Sequence, residues 1–524
     1  MRYNHAGVSF LVRSIRNMTR KKVYMTGQLA STPTFAVATL GCKVNQADSE
    51  AISEQMSAAG FAQRDFNDAA DIYIVNTCTV THLGDRSSRS MISQARRRHP
   101  GALLVVTGCY AEVDPQAVAA LPGVSLVVGN SAKESIVEAI AAKLQMAGGE
   151  KTQAAAENIA EVTSRPVKTL PVLPIDAQHI GSDIDFARMS LGNKGIGIDE
   201  EPQPDNVTHF VLPIDATTPA ETARLPLNTR TRVQMKVQDG CDNRCTYCIV
   251  PYVRGGSRSR SIAAVVEHVQ RKARAGFQEV VLTGIHLGDY HPEGDEKRDL
   301  GDLMAALLRE TDMPRIRVSS LEPEDFRLEW LELWQNPRMC RHLHLPMQSG
   351  SDYILRRMAR RYNSSRYQSI VTTARRQVPG IAISTDIISG FPGESDDDFE
   401  QTYRLAAELQ FAKAHVFRFS PRQGTPAARM KGQIKDEVKK ARSERLLALN
   451  EQDMRRFREK FLGETLEVLI EGVKHGCWEG LTDNYLRVEL AGLSGPGERD
   501  WQNTLVKARL AQLVDDGVLG IVVE

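Results

Sequence analysis

Short apolar runs separated by amphipathic stretches organise the first part of the chain. Positions 35–40, 72–75, 103–106 and 126–128 read as strands, with helix-like patterning between them. That alternation predicts a parallel, doubly wound α/β domain over 34–147. A second series of apolar runs occupies 233–237, 280–283, 315–319, 342–345, 382–387 and 415–419. Six βα units predict an incomplete parallel barrel over 228–460, with its active face at the C-terminal ends of the strands. A charged helix follows, with Met454, Phe457 and Phe461 on its apolar stripe. Beyond it Leu466, Val468 and Ile470 alternate with polar residues, as do Leu486, Val488 and Leu490. Period-two alternation predicts a small β-barrel or sandwich over 461–524.

Two stretches lack such periodicity. Residues 1–33 carry Arg13, Arg16, Arg20, Lys21 and Lys22, and no acidic side chain precedes Asp48. A basic, acid-poor start fits a transit peptide, a disordered arm or a start site placed too early, with Met25 just ahead of the first strand. Residues 148–227 are rich in Ala, Pro, Thr, Asp and Glu, and the hexapeptide Val-Leu-Pro-Ile-Asp-Ala occurs at 172–177 and again at 211–216. This composition reads as a long, largely disordered linker or insertion. The repeat is either a docking motif or a duplicated piece of linker.

Charge changes the picture little. The net charge is +1, so a nucleic-acid partner would be held by local basic patches rather than a global field. Arg96, Arg97, Arg98, Arg254, Arg258, Arg260, Arg356, Arg357, Arg360 and Arg361 are the candidates for phosphate contact. Arg360 and Arg361 read as lying on a helix after Ser351, opposite Leu355 and Met358. No apolar run has the length of a membrane span. Free thiols without a secretory signal point to the cytoplasm.

The eight cysteines change it most. Cys241, Cys245 and Cys248 fall in one loop directly after the first barrel strand. Thiolates are soft ligands suited to iron–sulfur clusters or zinc, and zinc usually takes four protein ligands. With no fourth Cys or His near in sequence, three thiolates would leave one iron of a four-iron cube open. This spacing resembles the radical S-adenosylmethionine superfamily, in which the open iron chelates that cofactor. One electron then breaks the sulfonium bond and yields a 5′-deoxyadenosyl radical. The other barrel strands end in polar or Gly-rich segments placed to line the cofactor: Thr283 and Gly284, Ser319 and Glu322, then Asp386, Gly390, Gly393 and Glu394. Cys42, Cys78 and Cys109 each follow a strand of the first domain, where an open parallel sheet gathers its ligands on one edge. They are candidates for a second cluster. Cys340 and Cys477 read as structural thiols.

The combined motifs resemble the methylthiotransferase family of radical enzymes. The resemblance is carried by Gly41-Cys-Lys-Val-Asn-Gln46 with Asp48-Ser-Glu50, Asn76-Thr-Cys-Thr79, Thr107-Gly-Cys-Tyr110 and the stretch from Cys241 to Arg260. His344-Leu-Pro-Met-Gln-Ser-Gly350 and Gly390-Phe-Pro-Gly-Glu394 add to it, and Thr482-Asp-Asn-Tyr-Leu-Arg-Val488 is similar to the RNA-binding TRAM module. The resemblance implies two [4Fe–4S] clusters. Cys42, Cys78 and Cys109 would hold an auxiliary one that carries sulfur, and Cys241, Cys245 and Cys248 the radical-generating one. It also implies two molecules of S-adenosylmethionine, one as methyl donor and one as radical source, with a reductant and a sulfur donor as partners. Of the family's substrates, Cys42-Lys-Val-Asn-Gln46 and Ser320-Leu-Glu-Pro323 look most like the branch acting on N6-threonylcarbamoyladenosine at tRNA position 37. The others are N6-isopentenyladenosine and an aspartate of a ribosomal protein. Asp48, His286 and the long linker depart from the family pattern. A zinc-containing RNA-binding protein is the noncatalytic alternative.

Overall fold

A computed structural model describes residues 32–147 and 231–523, apart from 81, 293, 296 and 496. The repeated hexapeptide, nearly all of the basic arm and the stretch between Gly148 and Arg230 lie outside the described residues.

The first domain is a five-stranded sheet in which every pairing is parallel. Its strands are β1 (Thr34–Thr39), β2 (Ala62–Gln63), β3 (Ile72–Thr77), β4 (Leu103–Gly108) and β5 (Val124–Val128), in the order β2-β1-β3-β4-β5. Strand β3 is buried throughout, and its side chains divide between two cores. Ile72 and Ile74 join Ile52, Met56, Ile136 and Ile140 on one face, supplied by α1 (Lys43–Ala58) and α4 (Ile136–Ala147). Tyr73 and Val75 join Ile92 and Ala95 on the other, supplied by α2 (His82–Arg98). Helices on both faces explain why these strands are continuously apolar rather than alternating. The two-residue strand β2, too short to leave a pattern, was not expected.

The central barrel is open, as the six βα units predict. Strands β6 (Arg232–Lys236), β7 (Glu279–Thr283) and β8 (Arg315–Val318) form one parallel group, and β9 (His342–His344), β10 (Ala382–Ser389) and β11 (Lys413–Arg418) form another. Parallel bridges from Ile316 to Met339 and from Ser320 to His344 join the groups across β8 and β9. Outward positions meet the helices α6 (Ile262–Arg274), α7 (Leu300–Glu310), α8 (Ser364–Gln377) and α9 (Asp396–Leu409) in the main core. Inward positions are polar: Glu279 and Arg317 are fully buried and paired through two hydrogen bonds of 2.7 and 3.2 Å.

Helix α10 (Asp436–Glu459) packs Leu446 and Leu449 into the barrel core, and Phe457 with the following Phe461 into the next domain. That domain is a closed barrel of β12 (Thr465–Lys474), β13 (Cys477–Thr482), β14 (Arg487–Ala491), β15 (Leu505–Val514) and β16 (Gly517–Val523), in the order β12-β13-β14-β16-β15. Closure comes from the parallel pairing of β14 with β16. Its loops dock on the central barrel through Arg317, which donates to Asp483 O at 2.7 Å, and through Arg341, which grips the Asp483 carboxylate at 2.6 and 3.0 Å. Among the described residues no helix is long and apolar enough to cross a membrane.

Candidate active site

Cys42, Cys78 and Cys109 close adjacent strands β1, β3 and β4 at one sheet edge. Cys42 is the exposed N-cap of α1, Cys78 is buried behind β3, and Cys109, also buried, opens the short helix α3 (Cys109–Val113). Their approach is close: a Cβ on Gly41 would lie 2.8 Å from Cys78 Sγ. With φ at +96°, only glycine fits there without strain. Three thiols far apart in sequence therefore share one edge.

The second trio sits in the loop after β6. Cys248 N–H donates to Cys245 O within the loop, while Cys241 N–H donates to Gly255 O and Thr246 N–H to Met358 O, so the loop is pinned from two sides. Each sulfur has a partner. Val250 N–H points at Cys248 Sγ from 3.4 Å, Arg360 donates to Cys245 Sγ at 3.3 Å, and His286 Nδ1 lies 3.8 Å from Cys241 Sγ. Burial pushes the Cys248 thiol up to about 12 and raises Cys245 as well, so both are thiols until a cation displaces their protons.

His286 was not foreseen at this site. Its Nε2 meets the Asp325 carboxylate at 2.6 Å. Burial alone would lower its pKa, but hydrogen bonds to Asp325 and Cys241 raise it to about 10. The expectation of no neighbouring histidine holds along the sequence and fails in space, because the segment after β7 brings His286 to Cys241.

Arg360 is corrected too. The helix after Ser351 spans Asp352–Arg357, and the chain turns away at Ala359 with φ +58°. Arg360 is buried, and its guanidinium reaches Glu322 and, at 3.0 Å, Glu324, besides Cys245. It serves the cysteine loop rather than RNA. Arg254 is likewise buried. Arg96, Arg97, Arg98, Arg258, Arg356 and Arg361 are exposed.

The remaining strand-end residues fall around the barrel mouth. Thr283 and Ser319 are buried side by side, their hydroxyls 3.5 Å apart, and Gly284 packs on Gln238 and Leu287. Glu322 is held by Arg360. Asp386 faces His344 Nε2 at 3.3 Å, and its carboxylate, His344 and His415 bring ligand atoms within 4.8 Å of one another. Gly390 lies against Lys439 and Gly393 against Arg357. Glu394 turns inward to accept from Gly390 N–H at 2.8 Å and Arg442 at 2.5 Å, so it closes its own loop. Burial raises its pKa to about 7 against the pull of that N–H and Arg442. Gln348 was passed over as a ligand candidate. It is buried with φ +59° and Oε1 unpartnered, an acceptor left over at the mouth. Cys340 is buried, its thiol pushed up to about 12 by burial, and Cys477 is exposed on β13.

The two trios are linked through Arg254, at the end of α5 (Val250–Arg254), which directly follows the cysteine loop. Its guanidinium donates to Asn45 Oδ1 at 2.5 Å, to Asp48 at 3.3 Å and to Asp239 at 2.9 Å. Asp48 also pairs with Lys133 at 2.8 Å and Lys236 at 2.6 Å. Burial by itself would raise the Asp48 pKa, but these three cations hold it well below the usual carboxylate range. Asn130 completes the contact, donating to Val253 O at 2.7 Å while lying 3.8 Å from Cys109 Sγ. Asn45, Asp48 and Lys133 of the first domain thus meet Lys236, Asp239 and Arg254 of the barrel in one polar network.

Comparison with known proteins agrees with this arrangement. The model for the Radical SAM superfamily matches residues 235–406, and that for Uncharacterized protein family UPF0004 matches 34–129. A threonylcarbamoyladenosine tRNA methylthiotransferase of Bacillus subtilis is 36% identical over 88% of this chain and 90% of its own length. The chain belongs to the radical S-adenosylmethionine methylthiotransferase family. Another such methylthiotransferase, from Thermotoga maritima, is 33% identical over 88% of this chain and 92% of its own. A tRNA-2-methylthio-N(6)-dimethylallyladenosine synthase of Pelotomaculum thermopropionicum is 30% identical over 84% and 87%. As a methylthiotransferase the protein is an enzyme whose cofactors are S-adenosylmethionine and iron–sulfur clusters. Two trios of soft donors, each with sulfur atoms gathered at strand ends, fit that requirement.

Proposed function

We propose that the chain installs a methylthio group at C2 of N6-threonylcarbamoyladenosine, position 37 of tRNA. The observation that carries this is the pair of cysteine trios joined by the buried Arg254–Asp48 network. Four relatives bearing that activity in their names, at 30–36% identity, support the substrate. In this reading Cys241, Cys245 and Cys248 hold the radical-generating [4Fe–4S] cluster, and Cys42, Cys78 and Cys109 hold the auxiliary one. When bound, the clusters and S-adenosylmethionine supply a radical able to take hydrogen from an unactivated C–H, a sulfur atom and a methyl group.

The chain's own residues orient and shield that chemistry. Arg360, His286 and the Val250 N–H direct hydrogen bonds at the three thiolates, and such outer contacts fix a ligand's orientation and tune the site's potential. Thr283, Gly284, Ser319, Asp386, Gly390 and Gly393 line the side where S-adenosylmethionine would lie. Glu322 and Glu394 position Arg360 and the Gly390 loop. The exposed arginines and the C-terminal barrel, as a TRAM-like module, would hold the anticodon arm. A reductant and a sulfur donor complete the reaction, which takes place in the cytoplasm.

Nucleoside mass spectrometry of tRNA from a deletion strain tests the substrate. The 2-methylthio derivative of threonylcarbamoyladenosine should vanish and return on complementation. Its persistence, with no second enzyme making it, would remove this assignment. Loss of the dimethylallyl derivative instead would favour the reading that the Pelotomaculum relative suggests.

A further inference from the structure

Between strands β9 to β11 of the central barrel, helix α10 and the C-terminal barrel lies a cavity of about 370 Å³, with Lys43, His342, Lys413 and His415 on one side and Arg458, Tyr485 and the carboxylate-bearing Asp516 on the other. Lys43, on its wall, directly follows Cys42 in the chain. The cavity runs along strands β9 to β11 beside the wall that carries Asp386, which His344 already engages. Other cations nearby are committed: Arg317 to Glu279, Arg232 to Glu471, Arg487 to Glu479, and Arg458 to the carbonyls of Met454 and Asp515. Lys43 and Lys413 have no ion-pair or hydrogen-bond partner for their ammonium groups among the described residues. Lys43 is half-buried and Lys413 exposed; a half-buried ammonium without a counter-ion is costly, and an arriving carboxylate relieves it with a charge-assisted hydrogen bond that Lys413 can share.

We propose that this cavity takes the N6 substituent of the substrate nucleoside, with Lys43 and Lys413 binding its threonyl carboxylate. The inference rests on the substrate reading above. On adenine, C2 and C6 flank N1, so a substituent on N6 and the reacting C2 share one edge of the ring. A pocket with Lys43 on its wall is therefore placed to hold the substituent while C2 faces the thiol trios. An alkenyl substituent would displace water from the two ammonium groups and offer them nothing, so the pocket also selects against it.

The test uses the full, anaerobically reconstituted chain and two synthetic anticodon stem–loops. One carries the threonylcarbamoyl group with its free carboxylate, the other the neutral threoninamide. Equilibrium binding should favour the acid by about ten- to hundredfold in the wild type. Lys43→Met and Lys413→Met should each narrow that ratio several-fold, while Lys43→Arg keeps most of it. Because the ratio is taken within each protein, a general loss of fold or cluster cancels. Equal binding of acid and amide by the wild type, or an unchanged ratio in both methionine variants, overturns the pocket and leaves the substrate reading intact. Failure of the wild type to methylthiolate the acid stem–loop, with turnover of a dimethylallyl one, overturns both.

Discussion

At Gly240 the chain leaves β6 for the cysteine loop with φ at +73°, and a Cβ there would lie 1.9 Å from Gly256 O. No side chain can be the part that yields, because the obstacle is backbone. Gly240→Ala should therefore cost about 2–3 kcal/mol and lower iron incorporation, read by thermal unfolding and anaerobic iron content. The cysteines themselves were legible because thiols clustered after strands have few structural uses. Their partners were not. His286 is 45 residues from Cys241, and Arg360 is 115 from Cys245. A basic residue near a helical register looks the same in sequence whether it meets phosphate or, as Arg360 does, two half-buried glutamates.

Helix α1 is where the two catalytic halves are held in register. Asp48 on α1 is the buried anion that joins Lys133 of the first domain to Lys236 and Arg254 of the barrel, which Asp239 also engages. Replacing it with Asn strips the carboxylate from Lys133 and leaves Lys236 and Arg254 to share Asp239, and the expected loss is about 3 kcal/mol, measured by denaturant unfolding at pH 7. The pH dependence follows in sign. The folded-state pKa lies below the unfolded one, so this stabilisation is complete above about pH 4 and fades as the pH falls through the folded value. The stability gap between wild type and Asp48→Asn should close only in strong acid. At this scale the strands were legible, since each apolar run became a strand within a residue or two. Strand β10 continues to Ser389, past the expected 387, because Ser389 O accepts from Phe419 N–H and the polar end is still paired. Asp48 stood out only as a departure from pattern, and its partners lie 85, 188 and 206 residues away.

Over the whole molecule, the doubly wound sheet, the open barrel and the small C-terminal barrel were all readable from periodicity. What periodicity left open was how they close on each other. Whether the last domain is a barrel or a sandwich turns on the parallel pairing of Val488 with Val518, a contact that local patterning does not encode. The docking of that domain turns on Arg317 and Arg341, which reach Asp483 from a different domain. The charged barrel interior was also hidden, because buried pairs such as Arg317 with Glu279 read in sequence as solvated residues. The central claim is that two thiol trios hold two iron–sulfur clusters of separable roles. Iron, acid-labile sulfide and zinc should be quantified anaerobically in the wild type, in Cys42/Cys78/Cys109→Ala and in Cys241/Cys245/Cys248→Ala. The wild type should hold two clusters' worth of iron and sulfide, each triple variant should lose half, and only the second should lose reductive cleavage of S-adenosylmethionine. Stoichiometric zinc without labile sulfide, or iron unchanged in either variant, would contradict it.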